Sequence, residues 1–126
     1  MYNSYVSVDE YTELGYSAVP VAQLERFLKD ASRNVDTLTF NRIVAKGFDR
    51  LTEFQKELIQ EVVCKQADFL YENADAIASV LDKYAINGVS MEFGTGFNVM
   101  MENGVPTQKT IYALLEQTGL CWRGGI

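Results

Sequence analysis

The chain has 126 residues, 48% of them hydrophobic and 22% charged, which suits one globular domain with its own core and excludes disorder along its whole length. Its formal net charge is −6, so broad attraction to nucleic acid or to an anionic membrane is disfavoured. It has no histidine, which removes His-based triads, most transition-metal sites and the Glu-x-x-His pattern of di-iron bundles.

The first residues, Met1-Tyr2-Asn3-Ser4-Tyr5, have neither the basic nor the apolar region of a secretory signal. Ser7 and Glu10 have the spacing of a capping box, and a short helix is expected over 8–14, stopping near Gly15. Pro20 suits the first position of a second helix, expected over 20–44. Leu24, Phe27, Leu28, Ala31, Val35 and Leu38 recur on one face of it, and Glu25 and Lys29 form an i,i+4 pair on the other. Thr37, Thr39 and Phe40 weaken it locally, a place for a bend, and Gly47 ends it.

Thr52 and Gln55 form a second capping box before the strongest helix pattern, 52–73. Leu58, Ile59, Val62, Val63, Phe69 and Leu70 make an apolar face wide enough to pack against more than one neighbour. Residues 75–81 fit an extension of this helix or a separate turn. Tyr84 to Phe93 read as a β-hairpin, because Asn87-Gly88 supplies the two positive φ values of a type I′ turn. Pro106 and Thr107 are expected to start a last helix, 107–118, stopped by Gly119, with 120–126 left as a tail. The expected fold is therefore mainly α: one domain, 1–126, a bundle of about four helices with one short hairpin.

Nothing in this pattern points to catalysis, a cofactor or a metal. Tyr84 stands where an EF-hand needs a ligand, and Gly94-Thr95-Gly96 lacks the third glycine and the following helix of a phosphate loop. Cys64 and Cys121 are far apart, form no C-x-x-C pair, and read as reduced thiols of a cytoplasmic product. No stretch approaches the ~20 apolar residues of a membrane span. Arg42, Lys46 and Arg50 recur every four residues, either as a basic ridge for a partner or as cations offsetting a helix C-terminus. Trp122, the only tryptophan, lies after the last helix beside Arg123; it reads either as an interface anchor, Trp and Arg being the side chains most enriched at hot spots, or as a cap folded back on the core.

Several strings, in order, resemble one family: "VDEYTELGY", "LTFNRI", "KGFDRLTEFQKELIQEVVCKQADFLYEN", "YAINGVSMEFG" and "ALLEQTGLCWRGG". They are similar to the small helical head–tail connector (adaptor, head-completion) proteins of tailed bacteriophages, in the versions carried by phages and prophages of Gram-positive bacteria. The resemblance covers nearly the whole chain. It implies a structural protein, made in the host cytoplasm and placed in the virion. Such a protein binds the portal, meets downstream tail or stopper proteins, and forms a homo-oligomeric ring through which DNA passes without being bound specifically. It also implies that the C-terminal segment engages the portal, with Trp122 and Arg123 as anchors. The 84–93 hairpin, carrying Val89 and Met91, is expected either to pair one edge with a neighbouring subunit or to roof its own core, and Arg42 is a further interface candidate. The alternative is a non-catalytic cytoplasmic helical module that binds and regulates a partner.

Overall fold

Ser7 opens the first helix, α1 (Val8–Glu13), by the expected capping box: its hydroxyl accepts from the Glu10 amide at 3.1 Å, and the Glu10 carboxylate accepts from the Ser7 amide at 2.9 Å. The computed structural model, which describes residues 2–79 and 99–122, continues with α2 (Val21–Leu38), α3 (Arg42–Lys46), a 3-10 turn (Phe48–Arg50) and α4 (Glu53–Glu72). A short helix α5 over 74–79 follows Asn73. Then come strands β1 (Val99–Glu102) and β2 (Val105–Gln108) and the last helix, α6 (Lys109–Glu116). Among the described residues the protein is mainly helical with one small antiparallel hairpin.

The centre of the molecule is α2 packed on α4, with α6 and β2 against α4. Leu24, Leu28, Ala31, Val35 and Leu38 bury the predicted stripe of α2. They share one core with Ile59, Val62, Val63, Ala67 and Phe69 of α4 and with Ile111 and Leu115 of α6. The anticipated i,i+4 pair Glu25–Lys29 forms at 3.5 Å, and Glu61–Lys65 on α4 forms another at 3.9 Å. Exposed pairs of this kind contribute only a few tenths of a kcal/mol each.

The long helix expected over 20–44 is two helices. After Leu38 the chain closes with a Schellman motif: Phe40 N–H donates to Thr37 O at 3.2 Å and Asn41 N–H to Asp36 O at 2.8 Å. Phe40 and Asn41 sit at φ +56° and +58°, and Thr39 turns its hydroxyl back onto Val35 O at 2.8 Å. The same motif ends α1, where Gly15 takes the left-handed position at φ +93°. In α2 that position falls to a phenylalanine.

A hairpin also forms where none was expected. Asn87-Gly88 and the strands proposed around it, Val89 and Met91 included, lie outside the described residues. The hairpin that is seen turns on the chain's other Asn-Gly, Asn103-Gly104, with φ values of +52° and +82°, both positive as a type I′ turn requires. Its register pairs Glu102 with Val105, Met101 with Pro106 and Met100 with Thr107. Pro106 and Thr107 therefore belong to β2, and the last helix begins two residues later than expected, at Lys109. The alternation of an antiparallel ladder puts Pro106 at a non-hydrogen-bonded pair, where its missing N–H removes no ladder bond.

Gln66 fixes the hairpin to the bundle. Fully buried on α4, its amide nitrogen donates to Pro106 O at 2.8 Å and to Asn34 Oδ1 on α2 at 3.0 Å, while its oxygen accepts from the buried Thr107 hydroxyl at 2.8 Å. The N-terminal strap, residues 2–6, is fixed by Asp36 in the same way. Its carboxylate accepts from Tyr2 at 2.7 Å and from Tyr5 at 2.5 Å, and Tyr5 N–H donates to Ser32 Oγ at 3.1 Å.

A further polar contact crosses the core between α1 and α4. The buried Tyr11 hydroxyl donates to Asp68 and accepts from Val19 N–H at 3.2 Å. Burial, with the Asp68 contact adding to it, pushes Tyr11 up to about 12, and burial lifts neighbouring Tyr16 to about 12 as well. A tyrosine raised in the fold is ionised first in the unfolded chain. Its contribution is therefore intact below pH 10 and lost as pH climbs from 10 towards 12. Urea unfolding across this range is expected to show the midpoint falling. A midpoint flat from pH 9 to about 12 would contradict these placements.

Candidate docking surface

The segment after α6 is not the free tail expected from residue 120 onward. Leu120 and Cys121 are buried in the core cluster. Gly119, at φ +78°, turns the chain so that they point inward. Three bonds brace the turn: Thr118 Oγ donates to Leu115 O at 2.6 Å and accepts from Leu120 N–H at 3.1 Å, and Gln55 Nε2 donates to Thr118 O at 2.9 Å. Gln55 thus serves twice, since its oxygen also accepts from Thr52 N–H in the second capping box, at 3.1 Å.

Trp122 leaves this braced turn and is 59% exposed, so it does not cap the core. Beside it an open groove of about 740 Å³ is lined by Tyr112, Glu116, Gly119, Cys121 and Trp122. Arg42, a candidate for contact with a partner, instead turns to its own chain. Its Nη1 donates to Leu120 O at 2.8 Å, and its guanidinium lies over the Phe40 ring, 5.1 Å from the centroid. Arg123, Val89 and Met91 lie outside the described residues.

Sequence reasoning passed over Phe40. It is 43% exposed, and as the left-handed residue of a Schellman motif it holds a position that glycine fills with less strain. The available signal was an aromatic residue directly after the threonine-rich helix end Thr37-Leu38-Thr39, with no core position left for it to fill. Lys46 stands one helical turn beyond Arg42, and Arg50 follows in the 3-10 turn; both are exposed, and neither joins an ion pair among the described residues.

Both thiols are free and buried. Burial pushes Cys64 up to about 12, with Asp68 and Glu10 adding to it, and Cys121 up to about 11, so both are protonated at neutral pH. Among the described residues no three His, Cys, Asp or Glu side chains gather as a metal would require, and no helix is long and apolar enough to cross a membrane. The surface offers aromatic and cationic side chains on a braced turn, a chemistry of contact. No family model, no curated protein and no solved structure matches the chain.

Proposed function

We propose that the protein is a head–tail connector of a tailed bacteriophage, a structural component that binds the portal, joins a ring with its own copies and continues the DNA channel towards the tail. The reading starts from the ordered series of strings that resembles that family. The observation that carries it further is Trp122, a large aromatic side chain held 59% exposed on a segment whose preceding two residues are core. A lone exposed tryptophan costs apolar hydration in the free protein and repays it only when covered, which is the behaviour of an interface anchor. No reactive centre is needed for this role.

Trp122→Ala is the direct test. The side chain is mostly outside the core, so the variant is expected to keep its helical circular dichroism and its thermal midpoint. Its affinity for the portal protein is expected to fall at least tenfold, the scale of a hot-spot truncation. Sedimentation of the mixture reads the result, and unchanged affinity would rule out the anchor. Cutting the chain after Gly119 is a poorer test, because it also removes buried Leu120 and Cys121 and the carbonyl that Arg42 holds.

A further inference from the structure

The groove beside Trp122 combines two aromatic rings with a carboxylate. Tyr112 and Glu116 are four residues apart on α6 and so share one face of the helix, and Trp122 lines the same groove. Each ring presents a negative π-face, which attracts a cation.

The charge of the groove has the same sense. Glu116 is the last residue of α6, and no basic residue stands in that last turn. The helix dipole puts partial negative charge at this end, so the carboxylate adds to the field instead of offsetting it. Glu116 is exposed and joins no ion pair among the described residues. The thiol of Cys121, which also lines the groove, responds to this field: after burial, Glu116 is the strongest influence pushing it up, and Glu102 adds to it. The Tyr112 hydrogen bond and Arg42 act against them. The Arg42 guanidinium is engaged elsewhere, by Leu120 O at 2.8 Å and by the Phe40 ring. Lys109, about two turns before Glu116, does not line the groove.

The shape narrows the occupant. Sites for free small molecules enclose most of the ligand, whereas this groove is open and covers one side of what it holds. That suits a side chain projecting from a larger surface. A guanidinium fits both halves of the groove, since its plane stacks on an aromatic ring and its N–H fork donates to a carboxylate. We infer that the groove formed by Tyr112, Glu116 and Trp122 receives an arginine side chain presented by a protein partner. The inference rests on the connector reading only in taking the portal as that partner.

Trp122 is the chain's single tryptophan, so its indole N–H gives one resonance in a nitrogen–proton correlation spectrum of the full-length protein. Titration with N-acetyl-arginine amide is expected to move that resonance to saturation. The uncharged isostere N-acetyl-citrulline amide is expected to leave it in place. Glu116→Gln is expected to weaken the arginine response about fivefold at low salt, with wild type and variant converging as salt rises. Glu116→Lys is expected to abolish the response and to keep or raise the thermal midpoint, because a cation suits the end of α6. Its portal binding, read by sedimentation, is expected to fall by about tenfold or more. Trp122→Leu keeps apolar bulk without the π-face, and is expected to lose portal binding nearly as fully as Trp122→Ala. If leucine restores binding, Trp122 is a plain hydrophobic anchor and the inference is overturned. If Trp122→Ala abolishes portal binding while both Glu116 variants bind as wild type, the groove does not read a cation, and the connector reading stands. If the wild type ignores the portal while N-acetyl-arginine amide still moves its indole resonance, and not that of Glu116→Lys, the connector reading falls and the chemistry of the groove stands. Equal responses to the two probes would show that charge is not read. A response that appears only in Arg123→Ala would show that the chain's own next residue fills the groove. Either result would overturn the inference.

Discussion

Gln66→Leu is expected to destabilise the protein by about 3 kcal/mol, a drop of roughly 10 °C in the thermal midpoint. Leucine fills a similar volume, so packing is not the cause. The substitution leaves the Thr107 hydroxyl without its acceptor and the Pro106 carbonyl without its donor, both where β2 meets α4. Each buried polar group stranded in this way costs about 1–3 kcal/mol. Thr107→Val alone removes one donor and is expected to cost about 1 kcal/mol. The double variant is expected to cost less than the sum, because the two groups that strand each other leave together. Chemical unfolding of the four proteins measures the cycle. Strict additivity would mean that Gln66 does not hold the hairpin through Thr107.

The second large effect is at Asp36. Asp36→Ala is expected to cost about 2 kcal/mol, because the carboxylate is buried and accepts two phenolic hydrogen bonds that nothing else can replace. The loss is local. Ser4 and the Tyr5 amide still meet Ser32, and Tyr5 still stacks on Phe48 with ring centroids 5.2 Å apart. The strap is therefore expected to loosen from its N-terminal end, with faster amide exchange near Tyr2 than near Val6. Asp36→Asn, which keeps an acceptor, is expected to recover much of the loss. Equal exchange along the strap in the alanine variant would show that Asp36 does not hold it.

The features legible in the sequence are those decided within one or two turns of chain. Ser7 with Glu10 and Thr52 with Gln55 announced helix starts at their true positions. Leu24, Leu28, Ala31 and Val35 announced the buried stripe of α2 by spacing alone. The end of α2 was only half legible. Thr37, Thr39 and Phe40 marked a weak point, but a phenylalanine in glycine's usual place concealed a full stop. The hairpin on Asn103-Gly104 was not foreseen, while the one expected on Asn87-Gly88 lies outside the described residues. Pro106, which suits a helix start, drew attention from Asn103-Gly104; a proline at a non-hydrogen-bonded pair serves a hairpin equally well.

The candidate surface was legible in its parts and not in its assembly. Trp122 stood out because it is the chain's single tryptophan. Arg42 carried two readings, a cation for a partner or one offsetting a helix C-terminus, and neither anticipated its bond to a carbonyl 78 positions away. Gln66 carried no signal, since its partners on α2 and β2 are 32 to 41 positions distant. Contacts of that kind are set by tertiary packing, which local spacing does not encode.

The central claim, a building block that works by docking at the capsid vertex, is tested most directly by electron microscopy of the portal ring mixed with the full-length protein. The account predicts a second ring of density coaxial with the portal, present with the wild type and missing with Trp122→Ala. Portal rings that look the same with and without a saturating excess of the wild-type protein would contradict it.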